Sequence, residues 1–464
     1  MVRLTAQLLR REFKYWKRYM WREMYRHTPR RLMFLPLVGW KEDIKREWNI
    51  DENQPWSQEF HEKNKPWSPV KKTYVEPLKD WPYIKGDRGC LSTLTRQAHT
   101  PSVNQRRYYT PMANVPEGVL LGLGNPLLDV SVVTDESFLK KYDLEANNAI
   151  LAEDKHNEMF VEMMAGHMNP EYIAGGATQN TIRVAQWILQ KTNATTFFGC
   201  VGNDQMAKII EQKAREVGVN VHYQVKPEYR TGLCAAVITG RAHENRSLVT
   251  RLGAARKFTS QFLENAEHWA LVEKAQFIYI GGFVFTVSPS AIRMLAEHAS
   301  QNNKPLMMNL SAPFLCSYFA DPEINIMQHI DILVGNETEA ATYCKLQGIE
   351  GANLKELASK VSLLPKADPS RGRTVIFTHG REPTVIAESG KVTEYAVPRV
   401  PKELIHDTTG CGDAFVGGFL SQLVQGKPIA ECVRYAKMAA IVIIQHDGCT
   451  FPPKPDFTEV EKLF

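Results

Sequence analysis

Near the carboxyl end of the 464-residue chain runs His406-Asp407-Thr408-Thr409-Gly410-Cys411-Gly412-Asp413-Ala414-Phe415, followed by Gly417 and Gly418. Glycines at 410 and 412 let the backbone turn tightly and approach a ligand, and a helix over Asp413 to Val424 would aim its first amides at the same point. Such a loop is an anion hole. A carboxylate at its mouth adds what a plain phosphate cradle does not need: a group that accepts a proton from a hydroxyl attacking the phosphoryl group held there. Read in isolation, the same residues are also a structural turn with a helix N-cap, so the rest of the chain must decide.

Two other clusters suit that chemistry. Leu123-Gly124-Asn125-Pro126-Leu127-Leu128-Asp129 sets a carboxylate past a glycine-punctuated strand end, and Ala174-Gly175-Gly176-Ala177-Thr178-Gln179-Asn180 opens a helix carrying an amide side chain. A carboxylate accepting from vicinal hydroxyls, helped by an amide and close backbone, reads a sugar diol. In Gly335-Asn336-Glu337-Thr338-Glu339, Asn336 and Glu339 stand three apart at a helix start and share one face. Helix capping, with Asn336 as N-cap and Glu339 as its N3 partner, is a compatible use of the same pair.

These residues need a scaffold, and the chain from Pro116 supplies the pattern of one. Val119 to Leu123, Phe277 to Ile280, Met307 to Leu310, Ile332 to Val334 and Val375 to Thr378 read as apolar strands. Asn180 to Gln190, Gln205 to Val217, Ser288 to Ser300 and Glu337 to Gln347 read as helices between them. The alternation predicts an α/β fold with a doubly wound, mostly parallel sheet covered on both faces, and ligands at the carboxyl ends of its strands.

The first 110 residues differ. From Met1 to Arg31 ten basic residues face only Glu12 and Glu23, so that segment carries +8 while the whole chain is only +5. Seven of the nine tryptophans (Trp16, Trp21, Trp40, Trp48, Trp56, Trp67 and Trp81) lie before residue 82, among proline and charge. A helix is predicted over Leu8 to Tyr25 and an extended strap from Pro55 to Pro111. This composition suits an arm that docks onto a protein assembly. A solvent-exposed tail and a mitochondrial presequence over the first 30 residues are the competing readings. No nucleic-acid-binding module is recognisable. The eight cysteines lack zinc-site or disulfide-module spacing, no apolar stretch approaches the roughly 20 residues of a membrane span, and no secretory signal is expected.

Taken together, the motifs at 123–129, 174–180, 335–339 and 407–413, with Asn309-Leu310-Ser311-Ala312-Pro313-Phe314 and Gly448-Cys449-Thr450-Phe451-Pro452, resemble the ribokinase-like (PfkB) carbohydrate kinase family, and within it the adenosine kinases. The resemblance spans residues 117 to 458 in order and leaves the N-terminal arm without a counterpart. It implies a kinase domain over 111–464 beside an arm over 1–110, with a small lid drawn from roughly 131–175 and 229–252. It also implies ATP with Mg2+ as cofactors, adenosine or a related nucleoside as substrate, and a cytoplasmic location.

On this resemblance Asp413 is the catalytic base, the amides of Gly410, Cys411 and Gly412 form the hole, and Arg246 is the lid arginine that reaches the phosphates. Asp129, Gly175, Gly176, Asn180 and Phe283 bind the nucleoside. Asn336, Thr378, Gly380, Arg381 and His446 lie on the nucleotide side, and Asn336 and Glu339 hold magnesium through water. The chain departs from the family at Ala177, Gly253, Val284, Arg256, Cys411, His379 and Gln445-His446-Asp447. Val284 replaces an aromatic residue, which implies the loss of one ring face and weaker nucleoside binding. The rival readings are a catalytically weak or inactive structural component of an axonemal or mitochondrial assembly, reached through the arm, and a sugar kinase of the same superfamily.

Overall fold

A computed structural model describes residues 115–146, 148–240 and 245–464. The basic head, the helix over Leu8 to Tyr25, the tryptophan-rich strap and the proposed docking arm lie outside the described residues.

Strand residues of opposite parity feed two separate cores, which is why the strands read as continuous apolar runs. Leu121, Leu123, Ile278, Ile280 and Leu333 pack on one face, with Leu295, Tyr343 and Val361 from covering helices. Leu120, Phe277, Tyr279 and Ile332 pack on the other, with Ile182, Phe419, Leu423 and Val433. Each fully buried Leu, Ile or Phe contributes roughly 1.5–3 kcal/mol relative to exposure. The sheet between these layers is therefore a rigid base for whatever sits at its edge.

The strands are β1 (Leu120–Leu123), β2 (Leu127–Val133), β3 (Ala149–Leu151), β4 (Glu171–Gly175), β5 (Thr195–Val201), β6 (Asn220–Val225), β7 (Leu233–Thr239), β8 (Asn245–Arg251), β9 (Phe277–Gly281), β10 (Leu306–Asn309), β11 (Ile332–Asn336), β12 (Thr374–His379), β13 (Glu382–Glu388) and β14 (Lys391–Tyr395). The longer helices are α1 (Ala177–Leu189), α2 (Gln205–Glu216), α3 (Ala266–Lys274), α4 (Pro289–Gln301), α5 (Glu337–Gln347), α6 (Leu354–Ser362), α7 (Cys411–Leu423) and α8 (Ile429–Ile443). A nine-stranded sheet runs β14-β13-β12-β11-β10-β9-β1-β5-β6. It is parallel from β12 to β6, and β13 and β14 add an antiparallel edge.

A second sheet runs β3-β8-β7-β2-β4 and draws strands from both segments expected to form a lid. Its strand β2 begins at Leu127, because Pro126 cannot donate to the β1 ladder and the chain leaves the large sheet there. Asp129 is consequently a lid-strand residue, in register with Ile173 of β4 and Cys234 of β7.

Helix α7 is buried over Ala414–Leu423, apolar almost all round, as expected of a central helix. A Cβ at Gly417 would lie 2.7 Å from Val184 Cβ of α1, and one at Gly418 would lie 2.5 Å from the Tyr435 carbonyl of α8. The two glycines thus let three helices close on one another, and that approach brings α1 and α7 side chains together at their N-terminal ends.

Candidate active site

The loop before α7 turns at Gly410, whose φ of 79° lies in the left-handed region and whose Cβ, if present, would sit 2.9 Å from Cys449 Cβ. Asp407 braces this turn from inside: Oδ1 accepts from Thr409 N–H at 2.9 Å and Oδ2 accepts from Gly448 N–H at 2.7 Å. Of the three amides expected to form the hole, that of Cys411 is engaged, donating to the Thr408 carbonyl at 3.2 Å in the same turn. The amides of Gly412 and Asp413 have no acceptor among the described residues, as the first turn of a helix leaves them. A Cβ on Gly412 would meet nothing within 4 Å, so the space before these donors is open. Helix N-terminus, free amides and open space together fit an anion.

Asp413 stands in the first turn of α7, enclosed by protein yet keeping part of its surface open. Its hydrogen-bond partner is Asn180 Nδ2 at 3.1 Å, donated from α1. Burial, more than the favourable Asn180 bond can offset, and then the nearby Asp129 charge, push its carboxyl up to about 7. A carboxylate poised there can both take and hold a proton near neutrality. Asn180 is 5% exposed, and its Oδ1 is buried without a partner. An orphaned acceptor beside the Asp413 carboxylate is suited to an incoming donor.

Asp129 faces the same region from the lid. A Cβ on Gly175 would lie 2.2 Å from Asp129 Oδ1, so glycine is required for the carboxylate to lie over the backbone. Gly176 follows with a φ of 91°, and a Cβ there would strike the Asn125 carbonyl at 2.2 Å. The structure thus gathers Asp129, Gly175, Gly176, Asn180 and Asp413 where β4 meets α1.

Asn336 and Thr378 are register partners at the carboxyl ends of β11 and β12. Asn336 and Glu339 form a complete capping box: Asn336 Oδ1 accepts from Glu339 N–H at 2.8 Å, and Asn336 N–H and Nδ2 each donate to Glu339 at 3.0 Å. Burial pushes the Glu339 carboxyl up. Each of its oxygens accepts one bond from Asn336. Thr378 sits at an irregularity between Phe377 and His379, and Gly380, with a φ of 54°, makes the tight turn into β13. The Arg381 side chain is 96% exposed and 3.8 Å from Glu382, reaching no phosphate-side residue. Arg246 pairs with Ile238 in β8, and its side chain lies outside the described residues.

His446 stands apart from the other nucleotide-side candidates. It lines a cavity of about 480 Å3 with Glu171, Tyr172, Ile173, His406, Gln445, Asp447 and Thr450, a lining that shares no residue with Asn336, Thr378, Gly380 or Arg381.

Val284 is 2% exposed and packed in the core within the turn Gly282–Thr286. Half-buried Phe283 has Phe314, 63% exposed, 6.4 Å away centroid to centroid and tilted by 56°. Phe314 closes the Asn309–Phe314 motif, and no role for it follows from the sequence. Its signal was a large aromatic directly after Ser-Ala-Pro, where a chain is more often exposed. The Cys411 thiol is pushed up to about 12 by burial, then by Asp407 and Asp413, and is therefore inert at neutral pH.

A helix N-terminus opening on free space, with the carboxylates of Asp413 and Asp129 beside it at one edge of a doubly wound sheet, fits a small-molecule kinase. Residues 137–456 match the pfkB family carbohydrate kinases, and the chain belongs to that family. It is 50% identical over 341 residues to adenosine kinase 2 of Arabidopsis thaliana, covering 74% of this chain and 98% of that protein. Identity to the adenosine kinase of Schizosaccharomyces pombe is 40% over 340 residues, covering 73% and 98%. Among solved structures, Anopheles gambiae adenosine kinase in complex with P1,P4-di(adenosine-5) tetraphosphate aligns with a TM-score of 0.68 at 44% identity, covering 74% of this chain and 99% of that one. The Schistosoma mansoni adenosine kinase in complex with 2-fluoroadenosine aligns with a TM-score of 0.67 at 34% identity, covering 73% and 98%.

Proposed function

We propose that the protein transfers the terminal phosphoryl group of ATP to the 5′-hydroxyl of adenosine, giving AMP and ADP, as part of purine salvage. The observation that carries this reading is Asp413, a carboxylate held near a pKa of 7 at an open helix N-terminus with Asn180 beside it. In this reading Asp129 and Asn180 accept and position the ribose hydroxyls, with Asn180 Oδ1 gaining the donor it lacks. Phe283 and Phe314 offer ring faces to a flat base. Asp413 takes the hydroxyl proton while the Gly412 and Asp413 amides, with those of Gly410 and Cys411 on rearrangement of the turn, stabilise charge on the transferring group.

Magnesium carried on the ATP phosphates supplies charge neutralisation. Asn336 and Glu339 are the residues to hold its water shell, and Thr378, Gly380, Arg381 and His446 remain proposed nucleotide contacts. Among the described residues no group of three or more His, Cys, Asp or Glu side chains could hold a metal, which fits an ion held mainly by substrate and water.

Purified full-length protein with adenosine, ATP and Mg2+ should form AMP and ADP in equal amounts, and ribose or fructose in place of adenosine should give far less ADP. ADP formed with the sugars and none with adenosine would overturn the assignment.

For residues 1–110 we retain the proposal of an arm that binds a protein assembly, beside a kinase domain over 111–464. No helix of the described residues is long and apolar enough to cross a membrane. The kinase domain is assigned to the cytoplasm. A fluorescent fusion of residues 1–110 should co-localise with the full-length protein on a cytoskeletal or mitochondrial structure, and diffuse signal from that fusion would contradict anchoring.

A further inference from the structure

Arg183 belongs to no motif, yet it is buried at the join between the lid and the anion hole. It lies on α1 three residues past Asn180 and is 6% exposed. Among the described residues no carboxylate forms a salt bridge with it. Nη1 donates to the Ala174 carbonyl at 2.8 Å and the Cys449 carbonyl at 3.3 Å, the guanidinium carbon stands 5.2 Å from the Phe451 ring centroid, and Nε is buried without an acceptor. Burial weighs against the charged guanidinium more than the nearby Asp129 charge favours it, so its placement calls for a return elsewhere in the molecule.

The two carbonyls belong to segments that must be aligned with each other. Ala174 is in β4, just before Gly175-Gly176 where the chain leaves the lid, and β4 is in register with β2 through Ile173 and Asp129. Gln179, also on α1, steadies the same exit, donating Nε2 to the Gly175 carbonyl at 2.9 Å. Cys449 packs where a Cβ on Gly410 would be, and its neighbour Gly448 donates to Asp407, so the Cys449 loop is the floor of the anion hole. Arg183 therefore joins the lid strand that registers Asp129 to the floor beneath Gly410, from the helix that carries Asn180.

We propose that Arg183 is a positioning residue for phosphoryl transfer, fixing the lid carboxylate Asp129 relative to the anion hole and Asp413 by bridging Ala174 and Cys449. The proposal rests on the kinase reading above and adds to it the element that holds the two halves of the site in register. Arg183 touches neither the open space before Gly412 nor Asp413, so its loss leaves each half able to bind while their mutual alignment suffers. Small misplacements of reacting groups cost rate more than affinity.

The test uses the full chain and the variants R183M and R183K. For R183M, kcat with adenosine and MgATP should fall by about tenfold or more, with the adenosine KM changed by less than about threefold. The pH midpoint of the rate should stay near that of the unmodified protein, because Arg183 acts by position. R183K should lie between the two, since both carbonyls are reached from Nη1 alone and a lysine ammonium ends one bond short of that position. In hydrogen exchange, amides of 174–176 and of 407–412 should both exchange faster in R183M, while those of β10–β12 stay unchanged.

A folded R183M with unaltered kcat and unaltered exchange at both segments would overturn the proposal, as would a rate loss explained by a shifted pH midpoint. If R183M does not fold, R183K decides, and an unaltered kcat in it contradicts the proposal. Absence of AMP formation by the unmodified protein would sink the kinase reading instead, and the exchange experiment tests the bridge independently of turnover.

Discussion

Two carboxylates bury themselves at opposite ends of the same sheet, and their surroundings are opposites. Asp331, 3% exposed at the amino end of β11, is saturated: Lys366 and Arg371 both pair with it, Arg371 Nε donates at 3.0 Å, and Leu306 N–H donates at 2.9 Å. Asp413, at the carboxyl end, has the Asn180 amide and a repelling neighbour in Asp129, and its pKa climbs to about 7. The first arrangement surrounds the carboxylate with donors and ties the starts of β10 and β11 to the segment that leads into β12. The second leaves the charged form under-compensated, which is the state a proton acceptor needs. Both carboxylates are largely enclosed, and what separates them is how completely each is satisfied.

The contrast can be broken from either end. The largest effect is expected from Asp331→Asn, which leaves Lys366 and Arg371 buried without their counter-charge and should cost about 3–5 kcal/mol of stability. Denaturant unfolding measures this, and kcat per folded molecule should be unchanged. A variant equally stable but slower would mean that the two ends are not separate in role.

Asn180→Ala should lower kcat/KM about 10- to 100-fold, on the order of 1–3 kcal/mol, because the substrate loses an acceptor and the base its donor. Since the Asn180 bond lowers the Asp413 pKa, its removal should also move the acid limb of the kcat/KM profile above that of the unmodified protein. A limb moving to lower pH would contradict the assignment.

Asp413→Asn should stabilise the fold at pH 8, on the order of 2 kcal/mol, and leave it unchanged near pH 3. The native carboxyl binds its proton up to about pH 7, whereas the unfolded one releases it near 3.8, so folding is penalised progressively as pH rises through that window. Thermal melts at the two pH values measure the difference, and equal stability at pH 8 would show that Asp413 is satisfied after all.

The smallest effect belongs to Cys411→Ala. A thiol held near 12 stays neutral, and the backbone amide is retained, so kcat should change by less than about twofold. Loss of most activity would restore a role for the sulfur.

The large sheet was legible in the sequence because both faces of each strand are apolar, and the α5 helix begins and ends where its pattern predicted. The Gly410 to Asp413 loop was legible because its residue types admit few conformations. The lid sheet was less so. Its strands carry Asp129 and Ser131 among apolar residues, one is only three residues long, and its start depended on what Pro126 does to a ladder. Arg183 gave no signal, since a basic residue in an amphipathic helix normally reads as a solvated one.

The proposed phosphoryl transfer turns on Asp413 accepting the substrate proton. The most direct measurement is the single-turnover rate of AMP formation by Asp413→Asn, with adenosine affinity measured on the same sample by calorimetry. The account predicts a rate lower by about 10²- to 10⁴-fold with adenosine affinity within about threefold of the unmodified protein, whose own kcat/KM rises with pH through about 7 and then levels. Near-normal turnover by the folded variant would contradict it.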